Sequence, residues 1–260
     1  MSRFIPTSDP RFFEAQRVSW SSPPIDGVGY LPSEELLRKD NPALKRMIDA
    51  LEIERYNVNG WRNHENKWRK YLGLDDTHGK YVLDYGCGCG VEALQFARNR
   101  NTVYIADVAG ANLQLAERVA SIYGWEVRPI LLSMIPPFFD AIPPLDVFYC
   151  VGVLHHIPNA RDVLLRASDA LKPDGEIRLM LYSDIGWQIS TGTPTPPVEE
   201  DIETNPNFQK FTGIFDCVGC YADWYNAEKL KYRFGDFLDL IDFQYICSDN
   251  AYCVAILRGK

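Results

Sequence analysis

The rhythm of apolar and polar positions changes three times along the chain. Residues 1–32 are rich in Pro, Ser, Gly and aromatics and hold no sustained period, which predicts an extended arm wrapped on the body. Ser33 reads as an N-cap before Glu34-Glu35-Leu36-Leu37. Asn41-Pro42 reads as a second helix start, a cap residue followed by proline. From there to Leu72 the chain is helical in character, with Tyr56, Trp61, Trp68 and Tyr71 either lining one broad face or packing in the core.

From Lys80 onward, short apolar runs alternate with amphipathic stretches. Strands are predicted over 81–84, 102–107, 126–132, 145–151 and 176–182, and helices over 91–97, 112–123 and 160–171. This alternation argues for an α/β fold with a mostly parallel sheet covered by helices on both faces. After residue 183 the rhythm stops. A Gly/Pro/Thr-rich stretch at 190–197 leads through acidic and aromatic segments to a helix near 226–234. Two last runs, 241–247 and 252–257, flank Ser248-Asp249-Asn250 and read as an antiparallel hairpin at the sheet edge. The expected division is an N-terminal arm and helical extension over 1–72 and a main domain over 73–260 with a cap insertion at 184–225.

Composition narrows the partners. The 260 residues carry 27 Lys and Arg against 35 Asp and Glu, a net charge of −8 with no basic block. Such a chain cannot rely on phosphate neutralisation, which argues against nucleic acid as partner. No apolar run approaches the ~18 residues that span a bilayer, and the N-terminus has no apolar signal region, so a soluble, cytoplasmic protein is expected. The seven cysteines, an odd and scattered set, agree. Cys217-Val-Gly-Cys220 is the single CxxC; without a second pair or a nearby His pair it argues for packed thiols rather than zinc.

The strongest chemical signal is the strand end Val82-Leu83-Asp84-Tyr85-Gly86-Cys87-Gly88-Cys89-Gly90. Glycines there bring bare backbone to the carboxyl edge of the sheet, where open α/β folds bind ligands. Asp107, at the end of the next strand, can accept both hydroxyls of a ribose. A dinucleotide site expects G-x-G-x-x-G and a pyrophosphate at the helix N-terminus. Glu92, in the first helical turn, opposes phosphate, while Asp84 suits a cationic group such as an ammonium or sulfonium.

On these residues the chain resembles the class I S-adenosylmethionine-dependent methyltransferases. Asp84 to Gly90 is similar to their glycine-rich first motif, and Asp107 to the acidic end of their second strand. Asp146 to Pro158 is similar to their fourth strand and its loop, and Leu171-Lys172-Pro173-Asp174-Gly175 to the turn into their fifth. The resemblance covers 80–183 and implies a Rossmann-like seven-stranded sheet with S-adenosyl-L-methionine as donor and S-adenosyl-L-homocysteine as product. It further implies that backbone at Gly86 and Cys87 holds the methionine part, with Gly88 and Gly90 in the same loop and Asp84 organising it. Asp107 then binds the ribose and Val108 covers one adenine face. Leu132, Ser133 and Met134 reach the adenine edge, and the Val151 carbonyl faces the donor's amino group.

His155 and His156 are candidates for a general base, against a loop-packing role. Gly152 and His155 stand where related quinone-precursor O-methyltransferases are thought to place acidic metal ligands, so no metal is expected. No Asn-Pro-Pro-Tyr or Asp-Pro-Pro-Tyr follows strand four, which removes support for base methylation. The expected acceptor is a small molecule with an oxygen, nitrogen or carbon nucleophile, enclosed between the N-terminal helices and the aromatic-rich 184–225 insertion (Phe208, Phe211, Phe215, Tyr221, Trp224, Tyr225). A protein methyltransferase and a noncatalytic donor-binding module remain the alternatives.

Overall fold

The computed structural model describes residues 5–20, 31–133, 142–214 and 221–260. Seven strands form one sheet in the order β3-β2-β1-β4-β5-β7-β6. They are β1 (Tyr81–Tyr85), β2 (Thr102–Asp107), β3 (Arg128–Leu131), β4 (Leu145–Val151), β5 (Leu171–Tyr182), β6 (Leu238–Ile246) and β7 (Tyr252–Gly259). Pairings from β3 through β5 are parallel, and β7 runs antiparallel to both neighbours. The strand order reverses between β1 and β4, and the cleft at that switch point is where such sheets take ligands. The central strands are near-continuous apolar runs because helices cover both faces. Leu83, Phe148 and Leu179 pack in one layer, and Val82, Ile105 and Tyr149 in the other.

The Lys172-Pro173-Asp174-Gly175 turn lies inside β5 rather than ahead of it. Between two register points, five residues of β5 pass two of β4, so the turn bulges out of the ladder.

The N-terminal region departs furthest from expectation. Residues Phe12–Trp20 form a helix, α1, not an extended arm. Gln16 and Trp20 sit one turn apart, and the indole Nε1–H donates to Gln16 Oε1 at 3.0 Å. The short helix α2 (Ser33–Leu36) has Pro32 as its N-cap. The Ser33 hydroxyl does not cap it but donates to Asn112 Oδ1 at 2.6 Å. Helix α3 (Asn41–Arg55) starts one residue earlier than expected, because Asp40 accepts from Ala43 N–H at 2.7 Å and so is the cap.

The helix does not continue to Leu72. It stops at Arg55, and Glu65 and Asn66 hold left-handed φ of 56° and 59° before α4 (Lys67–Tyr71) begins. The Asn- and Gly-rich run Asn57-Val58-Asn59-Gly60 supplies the break. Consequently the four aromatics share no face: Trp68 is buried and Trp61 is exposed. Leu44, Ile48 and Leu51 of α3 pack on Val91 and Leu94 of α5 (Val91–Arg98) and on Leu115 and Val119 of α6 (Gly110–Ile122), so the extension shares a core with the sheet domain.

Beyond β4 lie α7 (Ala160–Asp169) and, after β5, the insertion with α8 (Asp184–Thr191) and α9 (Phe208–Ile214). Helix α10 (Ala227–Phe234), capped by Asn226, returns the chain to β6. Trp187, Phe208, Phe211, Tyr221 and Trp224 pack with Tyr182 into a core of their own. No helix among the described residues is long and apolar enough to cross a membrane.

Candidate functional site

A cavity of about 950 Å³ opens at the carboxyl ends of β1, β2 and β4. One wall is the loop after β1. Gly86 and Cys87 N–H both donate to Ala106 O, at 2.7 and 3.1 Å, which ties the loop to β2. These two N–H groups are therefore engaged by protein, and only the remaining backbone of the loop faces a ligand. Gly88 holds φ of +52°, and a Cβ there would meet nothing within 4 Å, because the position faces the open cavity. Gly90 differs. It stands outside the cavity wall as the left-handed N-cap of α5, and a Cβ there would lie 2.6 Å from Ala116 Cβ.

Asp107 lines the same cavity and is 5% exposed. Its Oδ2 accepts from Gly88 N–H at 3.0 Å, and its Oδ1 accepts from Ala109 N–H at 2.9 Å and Asn112 Nδ2 at 3.1 Å. Burial raises the carboxyl above the usual range, and these donors pull it back. Carboxylate oxygens together offer about four lone-pair directions, so acceptor capacity remains for a ligand.

Asp84 takes a different place from the one its sequence position implied. It is buried behind the loop, outside the cavity lining, and Oδ2 has no hydrogen-bond partner among the described residues. Burial first, then the nearby Glu92 and Asp107 carboxylates, push its pKa well above the ordinary value. It is therefore not a direct counter-charge for a cationic ligand. Glu92 does line the cavity, and Arg55 of α3 neutralises it through a buried ion pair of 2.6 Å.

The two histidines separate. His155 is fully buried and outside the cavity wall; its ring stacks on Tyr182 at 3.8 Å, and Nδ1 accepts from Tyr182 N–H at 3.3 Å. Burial, reinforced by His156, holds its pKa well below the usual value. A base that touches no cavity cannot reach an acceptor, so His155 is a packing residue. His156 lines the cavity against Trp20, with ring centroids 4.8 Å apart. Its Nδ1 lies 2.8 Å from Tyr221 O; a carbonyl only accepts, so Nδ1 carries the proton and Nε2 is the acceptor nitrogen. Burial pulls the pKa down to about 4, against the Tyr221 bond.

Thus Gly86, Cys87, Gly88, Asp107, Val108, Leu132, Ser133, Val151 and His156 meet at the cavity, while Asp84, Gly90 and His155 stand behind it. Met134, Phe215, Cys217 and Cys220 lie outside the described residues. The expected acceptor pocket under the 184–225 insertion needs correction. Among the described residues that insertion contributes nothing to the cavity wall, because its aromatics fill its own core. The cavity wall is instead completed by α1 (Phe12, Phe13, Gln16, Trp20), by Tyr182 and Tyr252, and by α7 (Asp162, Val163, Arg166). Asn112, Arg55 and Arg62 were missed from sequence. They belong to no motif, and only their placement marks them: Asn112 on α6, Arg55 on α3 and Arg62 in the turn before α4.

Known proteins fit this geometry. A methyltransferase domain model matches residues 83–177. A ubiquinone biosynthesis O-methyltransferase of Salmonella paratyphi A is 34% identical over 155 residues, 54% of this chain and 64% of that protein, so the match spans less than two thirds of the relative. Two solved structures share the fold. N-methyltransferase NodS of Bradyrhizobium japonicum has a TM-score of 0.54 at 14% identity, covering 87% of this chain and 96% of its own. Magnesium protoporphyrin IX methyltransferase of Synechocystis has a TM-score of 0.51 at 14% identity, covering 96% and 97%. Residues 83–177 thus match a methyltransferase domain, and the glycine loop, the acidic β2 end and the sheet order around them are those that the resemblance to class I S-adenosylmethionine-dependent methyltransferases implied.

Proposed function

We propose that the protein transfers a methyl group from S-adenosylmethionine to a small-molecule acceptor and releases S-adenosylhomocysteine. One observation carries the reading: the Asp107 carboxylate and the bare Gly88 backbone meet on the wall of a cavity that continues to an aromatic compartment. Ligand cavities run to about 1,000 Å³, so 950 Å³ suits donor and acceptor side by side. Asp107 would take the ribose hydroxyls, with Val108, Leu132 and Ser133 beside the adenine and the Gly86–Gly88 loop beside the methionine part. Arg62, which lies over Trp68 at 4.7 Å, adds a positive charge to the cavity wall.

The donor supplies an already activated methyl on a sulfonium. The chain's task is to align the acceptor's lone pair with the methyl–sulfur bond and to exclude water. Phe12, Trp20, Tyr182 and Tyr252 suit a flat, largely apolar acceptor. His156 sits on the wall of this compartment, with Nε2 as its acceptor nitrogen. With a pKa near 4 it is a weak base, which favours orientation over proton removal. The O-methyl transfer of the Salmonella relative supports an oxygen nucleophile.

Titration calorimetry with S-adenosylhomocysteine and with NAD, then turnover of S-adenosylmethionine against an acceptor mixture, tests the reading. Binding of the adenosyl ligand and appearance of a methylated product are expected. NAD binding with no response to the adenosyl ligand would overturn it.

A further inference from the structure

Asn112 stands where the donor site, the acceptor wall and the N-terminal helices meet. Its side chain is 2% exposed. Nδ2 donates to Asp107 Oδ1 at 3.1 Å and to the Trp20 carbonyl at 3.3 Å, and Oδ1 accepts from Ser33 Oγ at 2.6 Å. The amide therefore touches three elements at once: the end of β2, the end of α1 and the start of α2. A carboxylate and a carbonyl both demand a donor, so the amide can point only one way.

Trp20, the last residue of α1, reaches the second half of the site through its ring on His156. Helix α1 buries none of its own residues. It is held by Thr7, which donates to Glu203 at 2.9 Å from N–H and 2.5 Å from Oγ1, by Phe12 and Trp20 against the insertion's core, and by the Asn112 bond at its far end. Nine residues are too few to hold a helix by themselves, so the order of α1 depends on these contacts.

We propose that Asn112 is a positioning residue that makes the acceptor wall depend on the donor: with a ribose on Asp107, it fixes the end of α1 and so sets Trp20 and Gln16 against the acceptor. This rests on Asp107 as the ribose site. Without donor, the cavity side of the Asp107 carboxylate is open to water, which competes with the Asn112 N–H. Ribose hydroxyls replace that exchanging water with fixed donors in less polar surroundings, which holds the carboxylate still and keeps its Asn112 bond in one geometry. The amide is then held with its second N–H on the Trp20 carbonyl. Linkage makes the effect mutual: the factor by which donor tightens α1 is the factor by which closed α1 tightens donor. The acceptor compartment is therefore completed after donor loading, which gives an ordered reaction.

Hydrogen exchange on the full chain, with S-adenosylhomocysteine as probe, tests this. In the wild type, saturating probe should slow exchange across 12–20 by about fivefold or more, together with the loop 86–90. In Asn112→Ala at saturation, the loop should stay protected while the probe-induced slowing of α1 disappears; a merely structural tether would instead leave wild-type α1 exchange the same with and without probe. Equal α1 protection in variant and wild type overturns the coupling. Should Asn112→Ala fail to fold, the wild type decides alone: α1 exchange unmoved by bound probe overturns the proposal. No binding of the probe to the wild type would instead overturn the donor reading itself.

Discussion

Acidification is expected to weaken the fold through His156, and the amount follows from its surroundings. The ring is 7% exposed, and its pKa falls from 6.5 to about 4 on folding. The unfolded chain then takes up a proton that the folded one refuses, so the stability is whole above pH 6.5 and is lost as pH falls from there toward 4. At about 1.36 kcal/mol per pH unit, the loss is about 2 kcal/mol at pH 5 and about 3 kcal/mol at pH 4. His156→Asn isolates it, because the amide N–H can replace Nδ1–H on the Tyr221 carbonyl without titrating. Guanidinium unfolding of both proteins from pH 7 to 4, followed by tryptophan fluorescence, gives the difference. The wild type should lose about 2–3 kcal/mol more than the variant, a little more if removing His156 also relaxes its effect on His155. Parallel curves would refute the reasoning, since they would mean that the imidazole protonates in place.

Three further substitutions separate the roles of loop, carboxylate and insertion. Asp107→Ala should lose a charge-assisted hydrogen bond to ribose, about 1.5–3 kcal/mol or about tenfold to a hundredfold in S-adenosylhomocysteine affinity by calorimetry; unchanged affinity would show the ribose held elsewhere. Gly90→Ala combines a left-handed φ of +78° with a Cβ 2.6 Å from Ala116 Cβ. Its stability in denaturant should fall by about 2–4 kcal/mol, and a neutral result would mean that α5 can shift away from α6. Phe211→Ala, in the insertion's core, should destabilise by about 3–5 kcal/mol yet leave the folded protein's donor affinity within about threefold. A larger loss of affinity in the folded variant would put the insertion back at the site.

The sheet and its ligand edge were legible in the sequence because they rest on local rules. Alternating apolar runs and amphipathic stretches have few ways to bury themselves other than a covered parallel sheet. Left-handed backbone at Gly88 favours glycine, and at Gly90 the close approach of Ala116 demands it, so the loop announces itself. Asp107 is readable for the same reason: it ends a strand, and strand ends of such sheets meet at one cleft.

What tertiary structure decided is everything that depends on which surfaces come together. No local pattern distinguishes His155 from His156; the packing of Tyr182 buries one against the strand, and Trp20 sets the other on the cavity. The aromatics of the insertion could have lined a pocket or filled a core, and only their mutual contact around Trp187 and Phe211 settled it in favour of a core. Asn112, Arg55 and Ser33 acquire their roles across 79 and 37 residues of chain, through partners that no spacing rule connects. A hydrogen bond or ion pair between distant elements is specified by the assembled shape, whereas a strand, a cap or a glycine turn is specified by its immediate neighbours.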